Sequence, residues 1–188
     1  MEGSAVSEEL LVRYCSPTLA GIKTGNIFSC PFSDYGEIVR SIRFFNRLLR
    51  GKGLCVIPLR RRESRVLVYV CRPSRLKKDL NGIKAGKILE NFGYRPECTG
   101  GCVSRLIKRL KEENGFPHEI GLFLGYPPED VIGFIENNAE RCKCTGCWKV
   151  YGDEEKAKRL FAKYEKCTEV YCGLLEKGKS IERLTVVG

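Results

Sequence analysis

The tightest constraint on this chain is a helix with both ends marked, followed at once by two β-type runs. Asp34-Tyr35-Gly36-Glu37 has capping-box spacing and predicts a helix over residues 34–50 that stops at Gly51. Ile38, Ile42, Phe45, Leu48 and Leu49 fall on one side of it, and Arg40, Arg43, Arg47 and Arg50 on the other. Residues 54–59 and 65–71 then read as strands, joined by Arg60-Arg61-Arg62-Glu63-Ser64 as a hairpin. A sheet covered by an amphipathic helix follows, which excludes an all-helical or an all-β chain.

The remaining segments extend this pattern. Residues 8–14 read as a short helix, and Ser16-Pro17 as the N-cap and first position of a second one reaching Lys23. Residues 26–30 read as extended, and residues 74–80, 83–92 and 103–113 as helices. Residues 120–124 form a short apolar run of strand length. Pro127-Pro128-Glu129-Asp130 starts a helix through Asn137, residues 148–151 read as a strand, Asp153 caps a helix to Glu176, and residues 181–187 close as a strand. The last third is therefore expected to be β-α-β-α-β, with strands from Ile120, Trp148 and Ile181 in one sheet. The predicted fold class is α/β (or α+β), a single mixed sheet with flanking helices in one domain over residues 1–188.

Composition narrows the setting. The longest apolar runs, such as residues 66–71, are far too short to span a bilayer. Met1-Glu2-Gly3-Ser4 lacks the charged-then-apolar pattern of an export signal, so a cytoplasmic location is expected. In that reducing setting the eleven cysteines, an odd number, are read as thiols and site residues rather than a disulfide framework. A formal charge of +10 favours polyanionic partners, or simply describes a well-charged surface.

Pro117-His118-Glu119-Ile120-Gly121-Leu122-Phe123-Leu124-Gly125-Tyr126-Pro127 resembles the family called domain of unknown function 3793. The resemblance continues through Glu129-Asp130-Val131, Gly133-Phe134-Ile135-Glu136-Asn137 and Cys147-Trp148-Lys149-Val150-Tyr151-Gly152-Asp153. It also takes in Cys15-Ser16-Pro17-Thr18-Leu19-Ala20-Gly21-Ile22-Lys23, so it spans nearly the whole chain. It implies no reaction, cofactor or partner.

Three constellations carry candidate chemistry. With Ser16 as N-cap, Cys15 stands just before a helix N-terminus, where backbone N–H groups and the macrodipole favour a thiolate. His118, the only histidine, then serves as general base in a thiol hydrolase or acyl transferase acting on a peptide-like, thioester or other acyl substrate. Glu119 and Tyr126 are expected nearby. Tyr14-Cys15-Ser16-Pro17-Thr18-Leu19-Ala20 and the His118 segment also resemble the nucleophile helix and histidine strand of papain-like C39 peptidases and phytochelatin synthases. That resemblance implies Asp130 or Asn137 as the orienting residue, and it lacks a glutamine before Cys15 at oxyanion-hole spacing.

The second constellation is Cys142-Lys143-Cys144-Thr145-Gly146-Cys147 together with Cys98-Thr99-Gly100-Gly101-Cys102. Cys98, Cys102, Cys144 and Cys147 have the ligand types for one tetrahedral zinc or an iron–sulfur cluster. Cys144 and Cys147 alone suit a redox dithiol, and all of them suit free thiols. Cys167 and Cys172 read as packing residues.

The third is the basic surface, with Arg40, Arg43, Arg47 and Arg50, residues 60–62, and Arg105, Lys108 and Arg109 as one phosphate-binding face or as ordinary solvated charge. Aromatic residues are not expected among these bases. Gly82-Ile83-Lys84-Ala85-Gly86-Lys87 fits no phosphate-binding glycine motif.

Overall fold

Asp34 accepts the Gly36 N–H at 2.7 Å and starts helix Tyr35–Leu49, whose buried residues are Ile38, Ile42, Phe45 and Leu49. That spacing gives one apolar stripe, and a helix with such a stripe must cover something. Here it covers a three-stranded sheet. The computed structural model describes residues 5–112 and 116–188. They divide into two compact units, one made of the chain up to Ser74 plus Lys166–Gly188, the other of Arg75–Glu165.

The first unit opens with α1 (Glu8–Leu19), capped by the Ser7 side chain, and β1 (Gly25–Pro31). Next come α2 (Tyr35–Leu49), a 3-10 turn at Arg50–Lys52, β2 (Cys55–Arg62) and β3 (Arg65–Cys71). The strand order is β1-β3-β2, and both neighbours run antiparallel to β3. β1 and β2 are therefore parallel and joined by α2, with β3 filling the gap, a split β-α-β arrangement. The expected hairpin is present, tightened to a turn at Glu63 and Ser64, with Glu63 at φ 45°. Pro58 sits on the edge strand β2, beside an irregularity in the register, where a missing N–H does least harm. Asn46 of α2 closes that edge. Its side chain donates to the Val56 carbonyl and accepts the Val56 N–H, both at 2.8 Å.

The core of this unit gathers Leu11, Val12, Cys15 and Leu19 of α1, the α2 stripe, and Val56, Val66, Val68 and Val70 of the sheet. Arg72 ties the unit together just past β3. Its buried guanidinium donates to the carbonyls of Thr18, Leu19 and Val186 at 2.7 Å each, holding the end of α1 against the C-terminal segment.

The second unit takes in α3 (Pro73–Leu80) from Arg75 onward, then α4 (Ile83–Asn91), α5 (Thr99–Glu112), α6 (Ile120–Phe123) and α7 (Pro128–Glu136). A two-stranded hairpin follows, β4 (Cys144–Thr145) with β5 (Lys149–Val150). Asp153 accepts the Lys156 N–H at 2.9 Å and caps α8 (Glu154–Glu176), whose residues from Lys166 belong to the first unit. α9 (Ile181–Leu184) also belongs to the first unit.

The class is mixed helix and sheet, as expected, but the expected β-α-β-α-β ending is corrected. Within residues 120–124 the segment Ile120–Phe123 is helical and Leu124 is its C-cap, so no strand forms. A five-residue apolar run buried on all sides carries no periodicity to separate the two states. Residues 181–184 are likewise helical, because burying Ile181 and Leu184, three apart, puts both on one helix face. Strands from Ile120, Trp148 and Ile181 therefore share no sheet, and only the Trp148 segment keeps a short β5. Glu113, the expected end of α5, and residues 1–4 lie outside the described residues.

Candidate functional site

The expected thiol site rests on Cys15 preceding a helix start, and that start is not there. α1 runs through Ser16 and Pro17 to Leu19, so Cys15 lies well inside the helix. The buried stripe Leu11, Val12, Cys15 and Leu19 outweighs the bond lost at Pro17. The Ser16 hydroxyl donates to the Val12 carbonyl, and the Ile22 and Lys23 N–H groups reach the Pro17 carbonyl at 3.0 Å. Cys15 has no solvent exposure. Burial pushes its thiol well above the ordinary cysteine range, against a smaller opposite pull from Lys23. A nucleophilic cysteine requires the reverse.

His118 belongs to the second unit, where its exposed ring tilts against Phe134 with centroids 4.9 Å apart. It precedes a helix rather than beginning a strand. Asp130, the expected orienting residue, is buried and fully engaged elsewhere. Its Oδ2 accepts Trp148 Nε1–H at 2.7 Å, and its Oδ1 accepts the Tyr151 and Gly152 N–H groups at 2.7 Å each. It fastens the β4–β5 hairpin to the start of α7. Glu119 is buried too. Its Oε1 accepts the Tyr94 hydroxyl at 2.7 Å and lies 2.7 Å from Arg109 Nε. Burial first, and the hydrogen bond to Glu119 second, push the Tyr94 hydroxyl far up. Tyr126 stacks on Trp148 at 4.7 Å, Trp148 meets Phe161 edge-on at 4.6 Å, and the Tyr126 hydroxyl donates to the Cys147 carbonyl at 3.3 Å.

The four expected metal ligands do not converge. Among the described residues no group of three or more His, Cys, Asp or Glu is arranged to hold a metal ion. Cys144 lies on β4 opposite Val150, and Cys147 is exposed on the hairpin turn. Cys98 stands immediately before α5, and its Sγ accepts the Gly101 N–H at 3.3 Å. The helix-start thiol that the sequence places at Cys15 therefore exists at Cys98. Cys102 is buried, and its thiol reaches the Arg95 carbonyl at 3.0 Å.

The basic surface divides. Arg105 and Arg109 turn inward, Arg105 donating to the Phe92 carbonyl at 3.4 Å and Arg109 lying over the Phe92 ring at 5.1 Å beside Glu119. They leave the expected phosphate face. In the first unit the basic residues of this set lie between Asp34 and Arg65. Residues 34–65 hold nine Arg and Lys against three Asp and Glu, more than half of the chain's surplus of ten. Arg40, Arg43 and Arg47 on α2 and Arg50 at its C-cap are all exposed, opposite the buried stripe. Only Arg40 makes an exposed ion pair, to Asp34 at 3.2 Å, and Arg43 and Arg47 have none among the described residues.

Sequence reasoning missed an aromatic in this face. Phe44 is 50% exposed and lies four residues after Arg40 and three before Arg47, so it neighbours both on the helix surface. Its ring meets Phe45 edge-on at 5.2 Å, and Phe45 enters the core. The signal was the adjacent aromatic pair, of which a helix can bury only one. Nearer the start of α2, the exposed Arg61 guanidinium lies over Tyr35 at 4.8 Å and Phe32 at 5.2 Å. At the other end, Arg50 borders a cavity of about 530 Å³ with Asn46, Leu54, Cys55, Pro73 and Ser74.

No helix among the described residues is long and apolar enough to cross a membrane. The family model described as "Protein of unknown function (DUF3793)" matches residues 11–185. No curated protein and no solved structure matches the chain.

Proposed function

We propose that this chain, which belongs to the DUF3793 family, is a polyanion-binding protein whose contact surface is the outer face of α2. The observation that carries the reading is a row of exposed arginines, two of them with no ion pair among the described residues. Such cations are already hydrated, so a polyanion gains by releasing its own condensed counterions when they neutralise its phosphates or sulfates. Arginine suits the task because its planar fork stays charged at every accessible pH and matches an oxyanion with two donors. The Arg40–Asp34 pair is no obstacle, since both side chains are exposed and solvent screens their attraction.

The test is fluorescence anisotropy with a labelled mixed-sequence RNA, titrated over a range of salt. Four arginine contacts predict that log affinity falls against log salt with a slope of about −3. Arg47→Ala reduces the magnitude of that slope by roughly one contact's share, about 0.7–0.9. Arg43→Glu with Arg47→Glu removes measurable binding. Binding that ignores salt, or that survives the double reversal, overturns the reading.

A further inference from the structure

We infer that the polyanion is a single-stranded nucleic acid, and that Phe44 is the platform on which one of its bases stacks. This rests on the polyanion reading and adds a second, non-electrostatic observation to it. An arginine row alone suits heparin, polyphosphate and duplex equally, because each offers a dense line of negative charge. Phe44 distinguishes them. A phenylalanine at 50% exposure keeps a large apolar surface in water, while Ile38, Ile42, Phe45 and Leu49 of the same helix are all buried.

Its position fits a role beside the arginines. Arg40 precedes it by four residues and Arg47 follows by three, so cations stand on both sides of the ring along the helix axis. The edge-on contact with Phe45 at 5.2 Å holds the ring against a residue fixed in the core. A side chain so held loses less freedom on binding than one moving freely in solvent. An exposed ring flanked by guanidinium groups is the combination that unstacked bases use, with the π-face of the base on the aromatic and the flanking phosphates on the cations. A duplex keeps its base faces covered by its own stacking, and polysulfates and polyphosphates have none. Arg61, set over Tyr35 and Phe32, supplies a further exposed guanidinium near the start of α2 for the continuing strand.

The experiment uses the full chain and fluorescein-labelled oligo(dT) and oligo(U) of about twelve nucleotides, within the usual span of such sites. A duplex of equal phosphate number, unlabelled heparin and phosphatidylserine vesicles are the comparison arms. The single strands are expected to bind more tightly than the duplex. Phe44→Ala weakens them about tenfold, the equivalent of one stacked base, and leaves duplex and heparin affinity unchanged. Phe44→Trp restores single-strand binding. A melting curve for Phe44→Ala matching the unaltered chain shows that the loss is not one of folding. Equal loss for all arms, or no loss for any, overturns stacking while the salt-dependent polyanion reading stands. So does vesicle binding that depends on Phe44 when single-strand binding does not. No salt-dependent binding in any arm overturns both.

Discussion

The outer face of α2 and the stretch from α6 to the β4–β5 hairpin use their polar residues in opposite ways. Around the hairpin the two buried carboxylates are fully used: Asp130 holds three N–H groups, and Glu119 holds a tyrosine and an arginine. Gly133 leaves the space that the Tyr151 ring occupies, since a Cβ there would lie 2.5 Å from it. On α2 the arginines and Phe44 face water and leave the fold unchanged by doing so. A buried carboxylate or a glycine under a ring is needed to build the molecule, which is enough to make a stretch of sequence distinctive. Residues that the fold leaves unused are the ones open to a partner. The distinctive stretch therefore serves the scaffold, and the plain basic helix carries the proposed contact surface.

The strongest way to break this comparison is to remove Asp130. Asp130→Ala leaves Trp148 Nε1–H and the Tyr151 and Gly152 N–H groups without their acceptor in a largely closed site. Each orphaned buried donor costs about 1–3 kcal/mol, so the expected loss is roughly 3–5 kcal/mol in urea unfolding. Asp130→Asn keeps one good acceptor and should lose roughly half as much. If Asp130→Ala instead leaves stability intact and removes an activity, the carboxylate belongs to a site after all.

What the sequence made legible follows from how local each signal is. The Asp34 cap, the α2 stripe, the hairpin and the Asp153 cap are each set by a few neighbouring residues, and all appear. Cys15, Ile120 and Ile181 went astray because their states are settled by distant packing. At Cys15 a buried stripe carries helix through a proline. At Ile120 a short apolar run took helix in surroundings that its own letters do not specify, and at Ile181 only the burial of Ile181 with Leu184 selects the helical face. The candidate contact face was half legible. The arginine spacing was readable, whereas the exposure of Phe44 depends on which of two adjacent aromatics the core accepts.

Inside the first unit, the same division between committed and open groups has a pH signature. Burial pushes the Cys71 thiol up to about 12, with the nearby Cys55 adding to the effect and the Tyr69 hydroxyl opposing it. Cys15 is displaced in the same direction. The folded state thus holds these protons more tightly than the unfolded chain, whose thiols titrate near the ordinary 9.0. The stability they contribute is complete below that value and declines as pH rises from about 9 toward 12, at about 1.4 kcal/mol per pH unit for each such thiol. Urea unfolding at pH 8 and pH 10 should differ by roughly 1–3 kcal/mol, and Cys71→Ala should flatten that difference. Iodoacetamide at pH 8 should label the exposed Cys98 and Cys147 first and reach Cys15 only on unfolding.

The smallest effect is the most telling. Arg43→Ala and Arg47→Ala should each change urea stability by no more than about 0.5 kcal/mol, because neither guanidinium has an ion pair among the described residues and both are exposed. Alanine is moreover at least as good a helix former as arginine, so α2 itself is not weakened. A near-silent result in unfolding combined with a clear loss in RNA anisotropy separates contact from scaffold within one variant. The reverse pattern, a loss of about 2 kcal/mol in stability with unchanged RNA affinity, would place these arginines with Asp130 among the groups that the fold itself requires.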